Sequence, residues 1–196
     1  MPTEQPQKIA CQQVLVEDNS VFSIQWTDLP PELATDLTAE RVLAYYLAAI
    51  KRLTFRLVQP DSSAEGVSFL LLGQLPLLCF LPPAFSTTAE GEGLALRICG
   101  GHLVQQAQCD RGELSILLQP RPDGCLRVTL RLSDYCPLLL GSQRPSGIRR
   151  WLYRLTQATL HRLVTIRFLA LLYRQLGGAA RSVESVPVQV RAGKDT

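Results

Sequence analysis

Residues 113–133 read ELSILLQPRPDGCLRVTLRLS. In the second half, Leu126, Val128, Leu130 and Leu132 alternate with Arg127, Thr129 and Arg131. Strict alternation sends one set to each face of a strand, so this is a half-buried antiparallel strand. Asp123-Gly124 just before it is a hairpin signal, and residues 113–119 supply the partner. Two further apolar runs, 94–99 and 102–109, precede it. Gly100-Gly101 and Asp110-Arg111-Gly112 provide the breaks. Four such runs predict an antiparallel meander.

Downstream, Pro145-Ser146-Gly147 opens a different element. No Pro or Gly occurs from Ile148 to Leu176, and Gly177-Gly178 closes the stretch. The pattern predicts one helix of about 29 residues, roughly 44 Å long. Ile148, Leu152, Leu155, Thr159, Leu163, Ile166, Ala170 and Tyr173 share one face, with Trp151 and Leu169 flanking it. Leu160, Val164, Phe168, Leu171 and Leu172 lie behind that face, so the second half is apolar nearly all round. Such a helix is buried on all sides, or meets a partner or lipid. The sheet is the one element large enough to bury the core face.

Upstream, Val14–Val16 and Val21–Trp26 are short β-prone runs around the turn residues Glu17–Ser20, a hairpin pattern. Thr38 is a good N-cap for a helix running to Pro60. Val42, Tyr45, Tyr46, Ala49, Leu53 and Leu57 form its buried face. Residues 61–93 show no clear period. Residues 1–12 read as a flexible leader, 13–176 as a single domain and 177–196 as a polar tail.

The chain has 196 residues, 46% hydrophobic and 19% charged, which excludes bulk disorder. Six cysteines without C-x-x-C spacing exclude zinc-ribbon and thioredoxin-like readings. Cys99, Cys109 and Cys125 sit in apolar, strand-like stretches and read as buried free thiols, which fits a reducing compartment and points to the cytoplasm. The N-terminus lacks a secretory h-region. The longest apolar run, Val67–Leu81, is too short and too interrupted to span a bilayer. The net charge of +3 is uneven: residues 1–144 carry −4, and residues 145–176 carry six arginines and no acid. Arg149, Arg150 and Arg154 could meet phosphate. The sheet offers no aromatic platform for bases, so nucleic-acid binding is not expected.

Several local motifs carry a resemblance. They are Asp110-Arg111-x-x-Leu114 before alternating strands, Gly147 with Leu152-Tyr153 opening the last helix, and His161-Arg162-Leu163 followed by Arg167. With the order of elements, they resemble a bacterial domain family of unknown function in the START-like (SRPBCC, helix-grip) superfamily. That superfamily includes polyketide cyclases and lipid-transfer proteins. The resemblance covers about residues 20–176, and nothing in 61–93 matches it. It implies an α+β helix-grip fold, a curved antiparallel sheet wrapped on a long C-terminal helix, with a ligand cavity between them. It supplies no catalytic residues.

Arg162 is the most informative position. It lies about 40° from the centre of the expected apolar face, where a charge needs a carboxylate or a polar ligand group. The ligand reading makes it the cavity-floor anchor, with Trp151, Leu155, Leu169 and Tyr173 as wall. The structural reading makes it an ion pair or a side chain reaching to the rim. His161 points away from the expected core face and reads as solvated. Phosphate-loop, dinucleotide, zinc-protease and nucleophile-elbow motifs are absent, so neither a cofactor nor a metal is expected. Three functions compete. The first is binding or carrying a small apolar, lipid- or polyketide-like ligand. The second is a cyclase- or aromatase-like enzyme using the same cavity, which needs two converging polar groups. The third is a module docking on a membrane surface or a partner, a homodimer included.

Overall fold

The computed structural model describes residues 6–105, 110–140, 159–178 and 182–195. Its backbone is α+β. An N-terminal hairpin pairs β1 (Gln7–Leu15) with β2 (Val21–Leu29). A short helix α1 (Pro31–Ala34) and a longer one, α2 (Ala39–Leu53), follow. Then come β3 (Val58–Ser63), β4 (Gly66–Leu71), β5 (Leu75–Phe80), β6 (Ala84–Thr88), β7 (Gly91–Gly100), β8 (Glu113–Pro120) and β9 (Leu126–Tyr135). The C-terminal helix α3 is described over Thr159–Gln175, and β10 (Val183–Pro187) and β11 (Lys194–Asp195) close the chain.

The eleven described strands form one large sheet in the order β10-β1-β2-β9-β8-β7-β5-β4-β3. Strand β6 also pairs with β7, and β11 also pairs with β1. The register explains the core. Val128, Leu130 and Leu132 sit opposite Leu118, Ile116 and Leu114 on β8, and Leu94 and Leu96 of β7 continue those rows. Antiparallel partners share a face, so these residues make one apolar surface. Helices α2 and α3 pack together over the sheet, α2 toward β7 and β8 and α3 toward β1 and β2.

On β2 the same face turns polar. Ser23, Gln25 and Thr27 lie opposite Leu132, Leu130 and Val128, and all three are buried. Their groups are satisfied locally. Gln25 Nε2 donates to Ser23 Oγ at 2.7 Å, and Gln7 Nε2 donates to Thr27 Oγ1 and to the α3 carbonyl of Leu169, both at 3.3 Å. Buried polar groups are tolerable when paired in this way.

Thr38 caps α2 as expected, its Oγ1 accepting from Arg41 N at 3.2 Å. The helix stops at Leu53 rather than near Pro60, because Thr54 caps it and the chain turns into β3. Leu57 is therefore exposed rather than on a buried face. Pro60 sits in β3, a sheet edge, and Pro76 lies next to a register shift in β5, the two settings a sheet allows proline. Residues 61–93, where no period is visible, contribute to five strands, β3 to β7. Residues 102–105 hold no strand, only an isolated bridge from Val104 to Pro137. Residues 7–12, read as leader, belong to β1, and Ile9 and Cys11 are buried. Part of the expected polar tail forms β10 and β11.

The face that α3 buries is a correction. Thr165, Phe168, Leu169 and Leu172 are inside, while Thr159, Leu163 and Arg167 are exposed. The buried stripe is rotated by more than a third of a turn from the expected one. A helix apolar nearly all round has no strong phase of its own, so tertiary packing sets it. Residues 141–158, where the helix is expected to start, lie outside the described residues.

Gly66 shows how tightly β4 is held. Its φ is +139°, and an added Cβ would lie 2.0 Å from the Phe80 carbonyl oxygen. Gly66→Ala is expected to cost about 2 kcal/mol or more, combining backbone strain with a clash that cannot relax cheaply. Urea unfolding measures it, and a change under 0.5 kcal/mol would mean that the β4–β5 ladder yields.

Candidate functional site

A cavity of about 160 Å³ lies where α2, α3 and the sheet meet. Tyr46 and Ile50 reach it from α2, Thr54 from the cap that ends α2, and His161 and Val164 from α3. Phe69, Leu77, Leu78, Ile98 and Leu132 line it from the strands, and Leu103 from the segment after β7. The lining is mostly apolar, so each polar group in it stands out.

Two of those groups are already engaged. Thr54 Oγ1 donates to the Ile50 carbonyl at 2.7 Å and accepts from Val58 N at 3.2 Å. The Tyr135 hydroxyl donates to the Leu103 carbonyl at 2.8 Å. His161 differs. Its Nε2 is buried and makes no hydrogen bond among the described residues, although the residue as a whole keeps partial exposure. Burial lowers its pKa to about 4, so the ring is neutral at physiological pH. One turn along α3, Thr165 Oγ1 is also buried without a hydrogen bond of good geometry, beside the Tyr46 hydroxyl. Burial pushes the Tyr46 phenol upward, and nearby Thr165 opposes this only in part. Tyr46 therefore stays protonated. The site can offer a neutral imidazole and a neutral phenol within an apolar wall.

Arg162 is exposed, and its neighbour His161 takes the inward position. Leu169 is fully buried in the core, and Tyr173 is half-buried against it. Neither belongs to the described lining of the cavity. Trp151 and Leu155 lie outside the described residues. His161 was legible as the start of the series 161, 165, 168 and 172, whose spacings of four, three and four mark one helix face. The stronger-looking series beginning at Ile148 obscured it.

A second recess, polar and more open, lies under the C-terminal segment between Gln12 and Arg191. Gln12 Oε1 there accepts from Val190 N at 2.7 Å and Arg191 N at 2.9 Å, and Gln12 Nε2 donates to the Arg191 carbonyl at 2.6 Å. It is the space beneath a strap. Among the described residues no group of three His, Cys, Asp or Glu could hold a metal ion. Cys11 and Cys136 are buried, whereas of the cysteines expected inside Cys99 is exposed, Cys125 is half-buried and Cys109 lies outside the described residues. No helix of the described residues is long and apolar enough to cross a membrane.

No protein-family model matches the chain, and no curated protein matches it by sequence. Among solved structures it is similar to CalU16 from Micromonospora echinospora, at 13% identity over 88% of this chain and 91% of that one. The TM-score is 0.32, too slight a likeness to carry fold or function.

Proposed function

We propose that this chain binds a small, mostly apolar molecule bearing one hydrogen-bonding group, in the cavity between α2, α3 and the sheet. The observation that carries the reading is the buried, unpartnered Nε2 of His161 facing apolar wall. Leaving such a group unsatisfied costs about 1–3 kcal/mol, and a ligand hydroxyl or carbonyl would recover it. The volume sets the scale. A cavity of about 150 Å³ accepts benzene, whereas drug-sized ligands occupy roughly 300–1,000 Å³. The space therefore suits a single ring or a short chain, or the polar end of something longer. In this proposal the domain is a helix grip with α3 as the gripped helix, and Arg162 is a rim residue.

Binding is favoured over a cyclase-like reaction by the acidity of His161. An imidazole with a pKa near 4 is a weak base at neutral pH, far from the match that proton abstraction needs. Tyr46, kept protonated, can donate a hydrogen bond and little more.

The test compares p-cresol and toluene, followed by amide chemical-shift titration, on the wild type and His161→Leu. The substitution is expected to weaken p-cresol about tenfold, the worth of one buried hydrogen bond, and to leave toluene unchanged. A wild-type protein that binds neither probe, or a variant that binds p-cresol equally well, would sink the reading.

A further inference from the structure

Four apolar side chains stand in solvent at one end of the sheet. Phe55 is 89% exposed, Leu72 63%, Leu57 52% and Leu75 41%. The backbone brings them together. Leu72 N donates to the Leu57 carbonyl at 2.8 Å, and Leu71 pairs with Val58 on one side and Leu75 on the other.

This is a fixed display rather than loose chain. Arg56 N donates to the Lys51 carbonyl at 2.7 Å, Phe55 N to the Arg52 carbonyl at 3.2 Å, and Val58 N to Thr54 Oγ1. Phe55, Arg56 and Leu72 have φ values of 52°, 65° and 52°. Bulky L-residues avoid that left-handed region, where glycine or asparagine fits better. Two of the most exposed apolar side chains thus occupy strained backbone positions, a pattern associated with functional sites.

The charges along the two chain segments that carry them are of one sign. Lys51, Arg52 and Arg56 are exposed and flank the apolar group. No acidic residue occurs between Glu40 and Asp61, or between Glu65 and Glu90. An exposed apolar cluster collared by cations complements a surface that is anionic outside and apolar just beneath.

We infer that this end of the molecule docks onto an anionic lipid bilayer. Phe55, Leu57, Leu72 and Leu75 enter the boundary between headgroups and acyl chains, and Lys51, Arg52 and Arg56 lie against lipid phosphates. Leu72 and Leu75 belong to the apolar 67–81 run, whereas Phe55, Leu57 and the three cations lie outside both that run and the Arg149–Arg154 cluster. Thr54 and Val58, which bracket the Phe55 loop, also line the cavity, so the docked surface borders its wall. Docking does not depend on the cavity being occupied.

Flotation with phosphatidylcholine vesicles, with and without phosphatidylserine, tests this on three proteins. The wild type is expected to float with the phosphatidylserine vesicles and to be released by salt. Phe55→Asn with Leu72→Asn is expected to bind at least about tenfold more weakly, from the apolar area withdrawn, without loss of melting temperature. Lys51→Gln, Arg52→Gln and Arg56→Gln together are expected to erase the preference for phosphatidylserine, at about fivefold per cation. A wild type that ignores these vesicles, or an asparagine variant that binds as the wild type does, overturns the proposal. So does dimerisation of the wild type that the asparagine variant abolishes without any vesicle binding, which would make the surface a contact between two copies.

Discussion

Phe168→Ala is expected to destabilise the protein by about 3–5 kcal/mol. Phe168 is 1% exposed and meets the Tyr46 ring edge-on, with centroids 5.1 Å apart and planes at 74°. It is the contact through which α3 locks onto α2. Truncation removes that ring pair and leaves a void next to the proposed site. For a chain of this size the loss corresponds to roughly 10 °C in melting temperature. Leu163→Ala is the matched control. Leu163 belongs to the face expected from the sequence to be buried, yet it is 45% exposed, so its truncation is expected to cost less than about 0.5 kcal/mol. Thermal unfolding of the two variants decides which face of α3 is inside. Equal losses would mean that Leu163 is buried as deeply as Phe168.

Acid should weaken the fold through His161. Its folded pKa of about 4 lies below the ordinary 6.5 because burial disfavours the imidazolium. Above pH 6.5 the ring is neutral in folded and unfolded chains alike, and the stability is complete. As pH falls below 6.5 the unfolded chain takes up a proton that the folded chain refuses, so stability drops until about pH 4. At roughly 1.4 kcal/mol per pH unit the loss reaches at most about 3 kcal/mol, and the ring's partial exposure reduces it toward about 2. Asp18 acts lower on the scale. Burial pushes its carboxyl upward, but hydrogen bonds from Ser20 and Arg111 prevail and bring it to about 2. Urea titrations at pH 7.5, 5.5 and 4.5 separate the two groups. His161→Leu should flatten the curve across the upper window. A wild-type stability that is level from pH 7.5 to 4.5 would show that the folded imidazole titrates normally.

The central meander was legible because β7, β8 and β9 each have one face in the core and one outside. Alternation then writes their period directly into the sequence. Strands β3 to β6 lack that asymmetry. All five residues of β6 are exposed, and β3 and β5 each contain a proline, so their pairing comes from neighbours rather than from their own pattern. Helix α3 fails in the opposite way, with apolar residues on every side and a phase set by α2. That ambiguity moved the polar anchor by one residue. Arg162 and His161 are about 100° apart on a helix, enough to exchange solvent for cavity. A cavity beside the C-terminal helix could be inferred from the order of elements, whereas its inward-facing group was readable only from the weaker series 161, 165, 168 and 172.

The strap held by Gln12 also decides what the molecule shows to its neighbours. Strand β1 runs as QKIACQQVL, with one charge in nine residues. Its outer edge is occupied by β10 along Gln7–Cys11 and by β11 at Val14 and Leu15. Uncovered, that edge would be a long, nearly neutral template for strands of other molecules. The sheet ends instead in a five-residue strand carrying Glu184 and Pro187, which is a poor surface for growth. The last residues of the chain thus act as a guard against fibrillar self-association, stationed far in sequence from the strand they protect.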